Sequence, residues 1–340
     1  MKIRWGIIGL GKMANVFAKA INEIKDAEIV GVSSLTKNKT TELLNEFKIT
    51  SKFFFKEYKE LLRCKNVDAV YIATLNNSHA DIITMAAQFD KNIMCEKPMS
   101  LDYIEAKKSI DEVKKKRVFF LEAFPYRSHP QTSEIYKVIK SNVIGKINQV
   151  EISFGFKKKI DPDHRVFNKN FGGGAILDVG CYTTSLSLLI AKIINPNVQI
   201  TNFDIENVEG KICNTGVDEI ANADLILNKD IKFKISTSIV KHMSNNCIIY
   251  GTNGKLVIQD PWNPGKKSFL EVYENDNYYK KFVTSKLSVY AHQINEFNKK
   301  ISNNKKKTFD TLMSIEESLI NMKILDQWKK KIFKNENEII

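Results

Sequence analysis

Hydrophobic and polar positions follow two regimes along this chain of 340 residues. In the first third, short apolar runs alternate with stretches of helical spacing. "IRWGII" reads as a strand, after which Val16, Phe17, Ala20, Ile21 and Ile24 recur on one helical face. "AEIVGVSS" predicts a second strand, followed by a polar helix through "KTTELLNEF". "VDAVYIAT", "NIMC" and "RVFFLEAF" predict further strands, with helices over Asn77 to Gln88 and Leu101 to Lys115. Strands alternating with helices of this length imply βαβ units, hence a doubly wound parallel sheet.

After "SHPQTSEIYKVIKSNVIGKI" the texture changes. "INQVEISFGF", "ITNFDIENVEG", "DEIANADLILN", "IKFKISTSIV", "NCIIYGTNGKLVI" and "FLEVYEN" are long strand-like runs joined by turn signals, with one helical pattern nearby, Ala175 to Ile194. They predict a largely antiparallel open sheet covered on one face by helices. "GTNGK" is the clearest hairpin turn. Helical spacing returns over Ser288 to Ile301 and Met313 to Ile332. The fold class expected is α/β plus α+β, with a dinucleotide-binding domain over 1–124. A substrate-binding and dimerisation domain follows over 125–340, its C-terminal helices packing back toward the first.

A hydrophobic content of 43% supports two cores. The net charge of +13 comes almost wholly from dispersed lysines, which reads as a solvated surface, and no nucleic-acid partner is expected. No run of eighteen apolar residues occurs and glycines arrive within nine residues of the start, so neither a membrane span nor an ordinary signal peptide is expected. Cys64, Cys95, Cys181, Cys213 and Cys247 are far apart and never in CxxC spacing, which suits a reducing, cytoplasmic setting and no disulfide framework. His79, His129, His164, His242 and His292 lack any ligand spacing, so no metal is expected.

Candidate chemistry begins at "GLGKMA". Gly9 would allow the tight turn, Gly11 the approach of a pyrophosphate, and Ala14 would stand for the third small residue. Lys12 and Met13 then open the helix whose amides face the anion. After the second strand comes "SSLTKNK", with Ser34, Leu35, Thr36 and Lys37 and no acid before Glu42. Hydroxyls and cations there favour NADP over NAD, although they also read as helix caps and surface lysines. "CEKPMS" places Glu96, Lys97 and Pro98 where a strand leaves the sheet, and the proline would fix the path of the chain and can select a cis peptide bond.

Together, "GIIGLGKMA", "YIATLNNSHADI", "CEKPMS", "LEAFPYRSHPQ" and "GGGAILDVGCY" resemble the Gfo/Idh/MocA oxidoreductases, in their dihydrodiol and NADP-dependent D-xylose dehydrogenase branch. The resemblance spans nearly the whole chain. It implies a Rossmann domain, a C-terminal α/β domain whose open sheet mediates dimerisation, and hydride transfer between nicotinamide and a sugar-like carbon. It places Lys97 against the reacting hydroxyl and the nicotinamide ribose. Thr74, Asn76, His79, Glu96 and Glu122 fall along the cofactor, with Arg127 in reach of a phosphate or substrate oxygen. Asn76 and His79 also read as a helix cap and a first-turn residue. Leu75 stands where the family has proline, and Pro125 where the branch has an aromatic residue.

Alcohol oxidation needs a hydride acceptor, which no side chain provides, and a base for the hydroxyl proton. In "LDVGCY", Asp178 and Tyr182 are four apart and share a face if a helix starts there. Tyr182, the tyrosine of the branch where many members have histidine, is the expected proton acceptor or donor. The Lys97 ammonium would favour its phenolate, and Asp178 would orient the substrate. Arg165 and His164 in "DPDHRVFN" face the substrate or lie on a surface loop. Gly172 to Gly174 either pass close to a ligand or form a flexible turn. The expected protein is thus an NAD(P)-dependent dehydrogenase or reductase of a sugar, polyol or diol, a homodimer or higher oligomer. The alternatives are an NAD-dependent enzyme of a nucleotide sugar, amino sugar or inositol, and a non-catalytic NADP(H) sensor.

Overall fold

A computed structural model describes residues 2–35, 54–197, 203–302 and 310–337, which form two compact units. The first unit comprises Met1–Ser128 and Leu287–Ile315. Its strands are β1 (Ile3–Ile8), β2 (Ala27–Ser33), β3 (Phe54–Phe55), β4 (Ala69–Ile72), β5 (Asn92–Glu96) and β6 (Phe120–Ala123). They lie in the order β3-β2-β1-β4-β5-β6, every pair parallel. This is the dinucleotide-binding strand order, in which the chain leaves β1 toward opposite sides and opens a crevice at the carboxyl edge. All four residues of β4 are buried, as a strand covered on both faces requires.

Helices α1 (Lys12–Ile21), α2 (Tyr58–Arg63), α3 (His79–Gln88) and α4 (Tyr103–Lys116) connect these strands. The polar helix expected through "KTTELLNEF" lies outside the described residues. β6 is shorter than the expected run from Arg117, because Arg117 takes the left-handed conformation (φ 57°) that ends α4.

An aromatic column forms the core of this unit. Trp5 packs against Phe17 and Phe297, Phe17 stacks on Tyr71 at 4.0 Å, and Phe119 closes the row against Phe297. Phe297 belongs to a helix over Val289–Ile301, capped by Ser288, whose Oγ accepts the Ala291 amide. Asn298 of that helix accepts from the Trp5 indole at 3.3 Å and donates to the Asp26 carbonyl at 3.1 Å. The compact units therefore differ from the expected division at 124/125. The boundary falls at Ser128/His129, and this C-terminal helix, expected to pack back toward the first domain, completes the core of the first unit.

The second unit comprises His129–Lys286 and Glu316–Ile340. It opens with α5 (Pro130–Lys140) and contains α6 (Cys181–Ile194), then α7, the first-unit helix just described, interrupts it before α8 (Ile315–Asn337). Its strands are β7 (Ile147–Gly155), β8 (Phe203–Ile212), β9 (Asp218–Leu227), β10 (Ile231–Ser238), β11 (Cys247–Gly251), β12 (Gly254–Ile258), β13 (Lys267–Glu274) and β14 (Asn277–Thr284). The order is β14-β13-β12-β11-β7-β10-β9-β8, antiparallel except for β7 against β10. The "GTNGK" hairpin forms as read, with Gly251 paired to Gly254.

Alternate positions of β9 are buried, the period expected of a sheet with one covered face. α6 packs on β7 and β10, and the Trp328 indole of α8 donates to the Asn222 carbonyl. The stretch Lys169–Ile194 is apolar enough by composition to be a membrane-span candidate, yet it is enclosed within this unit. The opposite face mixes apolar, aromatic and charged residues, with Phe282 its most exposed aromatic. In cross-strand register it runs Lys280, Glu271, Val257, Ile248, Glu151, Lys234 and Asp224, with Tyr278, Tyr273 and Tyr250 in the next row.

Replacing Trp5 with phenylalanine removes the hydrogen bond to Asn298 and leaves a void beside Phe297. The expected cost is about 1–3 kcal/mol of stability in urea denaturation; an unchanged midpoint would show that the indole does not anchor the C-terminal helix.

Candidate functional site

At the carboxyl edge of the first sheet, β1 ends at Ile8 and the turn Gly9–Gly11 leads into α1. Gly9 has φ +86°, its amide donates to the Ser33 carbonyl at 2.9 Å, and a Cβ there would lie 2.7 Å from Thr74 Cγ2 and 2.8 Å from the Ala73 oxygen. The fold itself thus demands glycine at this position. Gly11 differs. A Cβ there would meet only the Ala73 oxygen at 3.9 Å, so among the described residues nothing in the chain excludes a side chain. The first turn of α1 has no side-chain cap and no acidic residue, which leaves the amide end and its partial positive charge for a ligand.

Residues after the flanking strands meet the same edge. Ser34 is buried at the end of β2, whereas the next residue, Leu35, is 74% exposed. Beyond β4, Thr74 Oγ1 accepts from Ser78 Oγ at 2.7 Å, Asn76 is buried, and Leu75 is exposed. Thr36 and Lys37 lie outside the described residues. Gly9, Gly11, Lys12, Met13, Ala14, Ser34, Leu35, Thr74 and Asn76 therefore follow three adjacent strands, and the arrangement fits a dinucleotide.

β5 delivers Glu96 and Lys97 to that edge, and the Lys97–Pro98 peptide bond is cis. Glu96 is buried and accepts from the Tyr71 hydroxyl at 2.5 Å. Burial, and then the Glu96 charge, pushes the Tyr71 phenol well above its ordinary range, so it stays protonated and donates. The Tyr290 phenol is raised by the same two causes. Lys97 is half-buried between fully enclosed neighbours.

Three of the expected cofactor ligands are enclosed. Both ring nitrogens of His79 face backbone carbonyls, Pro98 O at 2.8 Å and Thr74 O at 3.2 Å. Glu122 Oε1 accepts the Met99 amide at 3.0 Å, and Arg127 donates to the Thr311 carbonyl at 3.4 Å. With almost no exposed surface, these side chains brace the loop after Lys97 and the chain return at Thr311.

In the second unit, Asp178 stands on a wide π-helical turn, Ile176–Gly180, and Tyr182 on the first turn of α6, which follows it. The turn replaces the regular helix start expected from their spacing, and such turns concentrate at functional sites. Each side chain has its own anchor. Buried Asp178 pairs with Arg165 Nη1 at 2.9 Å, while Arg165 remains 45% exposed. The Tyr182 ring meets the edges of Phe154 at 5.3 Å and Trp262 at 5.8 Å, and those two stack on each other. His164 Nδ1 caps the turn at Val166; burial first, then Lys158 and Arg165, lowers its pKa and keeps the ring neutral near pH 7.

The glycine run approaches its own chain. A Cβ on Gly173 would lie 2.7 Å from the Val166 oxygen, and one on Gly174 (φ +110°) would lie 2.3 Å from Asp218 Oδ1. Asp218, at the start of β9, is fully buried, and its Oδ2 accepts the Ile176 amide at 2.6 Å. Burial pushes its carboxyl up to about 6, against the amides of Ile176, Asp218 and Ala175 and the charge of Lys329, which favour the ionised form. Asp218, Tyr71, Phe154 and Trp262 escaped the sequence reading. The available signals were a carboxylate leading an apolar strand and a tyrosine inside "AVYI". Among the described residues no three His, Cys, Asp or Glu side chains gather as a metal-ligand set.

Comparison with known proteins gives a consistent picture. A family model described as "Oxidoreductase family, NAD-binding Rossmann fold" (GFO_IDH_MocA) matches residues 3–124, and the GFO/IDH/MocA C-terminal domain matches 132–257. Trans-1,2-dihydrobenzene-1,2-diol dehydrogenase of Xenopus tropicalis is 28% identical over 78% of this chain and 78% of its own length; that of Mus musculus is 27% identical over 78% and 77%. Among solved structures, a 3-ketoreductase from Actinomadura kijaniata in complex with NADP and TDP-benzene superposes with a TM-score of 0.83, at 21% identity over 96% of both chains. An aldose-aldose oxidoreductase from Caulobacter crescentus, complexed with glycerol, gives 0.85 at 18% identity over 98% of both.

Two pairs of measurements test this geometry. Gly9→Ala should cost about 2–4 kcal/mol in stability, since it strains a positive φ and strikes Ala73 and Thr74. Gly11→Ala should stay within about 0.5 kcal/mol of the parent and still weaken NAD(P)H binding at least about tenfold, read by fluorescence titration. The second pair concerns Asp218. Its folded pKa lies above the unfolded value of about 3.9, so between the two the unfolded chain has released a proton that the native state holds, and stability falls as pH rises through that window. Asp218→Asn should therefore be more stable than the parent at pH 7.5, by up to about 3 kcal/mol, with the difference gone below pH 4.

Proposed function

From the premise that this chain belongs to the Gfo/Idh/MocA oxidoreductase family, we propose that it is an NADP-dependent dehydrogenase or reductase acting on a CH–OH carbon of a sugar, polyol or diol. The observation that carries this reading is the turn Ile176–Gly180, which leads Asp178 and Tyr182 into α6 and leaves each tied to a separate anchor within its own unit. A carboxylate held by an arginine and a phenol held by aromatic edges are the two groups alcohol oxidation asks of a protein: one to fix the substrate hydroxyls, one to move a proton.

Bound nicotinamide supplies the hydride acceptor or donor. Gly9 to Ala14 hold the pyrophosphate on the amide end of α1. Ser34 and the hydroxyls and lysines that follow it, with no acid before Glu42, favour a 2′-phosphate and hence NADP; NAD is the alternative. Tyr182 Oη accepts the proton of the reacting hydroxyl, or returns it in reduction. The Lys97 ammonium favours the anionic oxygen in either direction. Asp178 accepts from a neighbouring hydroxyl, and Arg165 keeps that carboxylate aimed. The NADP-bound 3-ketoreductase has been solved with a lysine changed to alanine or glutamate and with a tyrosine changed to phenylalanine, the two residue types assigned the chemistry here.

The exposed guanidinium of Arg165 favours one second reading, a substrate that also carries a phosphate, such as a nucleotide sugar. We also assign the chain a homodimer or higher oligomer, with the aromatic and charged outer face of the second sheet as its interface.

Turnover of aldoses, inositols, diols and nucleotide sugars, followed at the nicotinamide absorbance with NADP and with NAD, tests the proposal. Lys97→Ala and Tyr182→Phe should each lower kcat about 100-fold or more on the best substrate, with NADPH affinity kept in Tyr182→Phe, and a chelator should leave the parent rate unchanged. Tight NADPH binding with no turnover across the panel would instead favour a sensor protein.

A further inference from the structure

Asp218 is a buried carboxylate outside the chemistry assigned above, and its surroundings give it a defined task. We propose that Asp218 is a positioning residue for Asp178 and Tyr182: from β9 it caps, across the unit, the amide end of the segment that carries both. The inference rests on the reading of those two side chains as the substrate-handling groups.

Three observations converge. The Ile176 amide donates to Asp218 Oδ2 at 2.6 Å, and Ile176 begins the π-helical turn in which Asp178 stands third and after which Tyr182 is the second residue of α6. Asp218 Oδ1 is pressed against Gly174, where a Cβ would come within 2.3 Å, so the carboxylate also fixes the left-handed backbone entering the turn. The carbonyl of Ala175 accepts from Thr237 Oγ1, and the amide of Gly174 donates to the Val166 oxygen, so this entry is held by β9, by β10 and by the loop that carries Arg165.

A helix start normally takes its cap from the residue just before it. Here that place is filled by Gly172–Gly174 and Ala175, none of which has a capping side chain, and the acceptor comes from a strand 42 residues later. Few charged groups face Asp218: Lys329 from α8 acts on it at a distance, and its neighbour Glu219 is paired with Lys211. Oδ2 is thus committed to the Ile176 amide while Oδ1 lies against the Gly174 backbone, and the direction in which the turn starts follows from the two.

The experiment compares the full-length parent with Asp218→Ala, which removes the acceptor, and Asp218→Asn, which keeps one oxygen. Amide hydrogen exchange is expected to quicken at least tenfold over residues 174–182 in Asp218→Ala, with β10 and β11 unchanged as the folding control, and to stay within threefold of the parent in Asp218→Asn. On the substrate turned over best, kcat should fall at least tenfold in Asp218→Ala at unchanged NADPH affinity and recover to at least a third in Asp218→Asn. Unchanged exchange over 174–182 in Asp218→Ala overturns the proposal, and so does an unchanged kcat alongside quickened exchange. If no substrate is turned over by the parent, the functional reading fails by itself while the exchange measurement still decides the role of Asp218. Should Asp218→Ala fail to fold, exchange in Asp218→Asn decides: protection of 174–182 lost together with β10 and β11 overturns the proposal, and protection kept supports it.

Discussion

The stacking of Phe17 on Tyr71, and the hydrogen bond from Tyr71 to Glu96, tie together the parts of the first unit that must agree in position. Phe17 lies on α1, whose amide end faces the glycine turn. Tyr71 lies on β4, next to β1 in the sheet, and Glu96 ends β5 one residue before Lys97. A phenol that stays protonated in the core and a buried carboxylate form a strong, directional contact in a medium of low dielectric. The phosphate turn and the lysine are therefore coupled through packed side chains.

Much of the fold was legible because it rests on periodicity. Short runs such as "AVYI" and "NIMC", spaced by helices, can only be parallel strands covered on both sides, and the long alternating runs after Ile147 can only be a sheet with one covered face. Periodicity shows that a helix has an apolar face and does not show which sheet that face will cover. That is why the helix containing Phe297 could be expected to pack toward the first domain without any sign of the aromatic column it completes. The outer face of the second sheet has the same character: alternation marks it as outward, while its mixture of tyrosines and paired charges emerges only when cross-strand register sets Glu271 beside Lys280 and Glu151 beside Lys234.

The candidate site divides along a similar line. Glycines were informative, since a turn between a strand and a helix needs Gly9 whatever the ligand. Polar residues were less so. His79, Glu122 and Arg127 have the chemistry of ligands for a cofactor, and each also meets a backbone group of the first unit, at Pro98, Met99 and Thr311. A polar side chain that satisfies a buried backbone group and one that awaits a ligand look alike in sequence, because the distinction lies in which distant carbonyl or amide would otherwise be unpaired. Asp218 illustrates the reverse case: its partner amide is 42 residues away, and no local pattern links the two.

The first unit is discontinuous in the chain, and this has a consequence for how the protein is made. Residues 1–128 emerge from the ribosome before the helix that closes their core, which follows only after 287. At about 5–20 residues per second, roughly 160 intervening residues leave Trp5, Phe17 and Phe119 without Phe297 for about 10–30 seconds. During that interval the nascent chain carries an open aromatic face that a chaperone, or a neighbouring nascent chain, can reach first. The inserted second unit, whose sheet lies almost wholly between 147 and 284, can complete its strands while the earlier-made first unit is still waiting for its last helix.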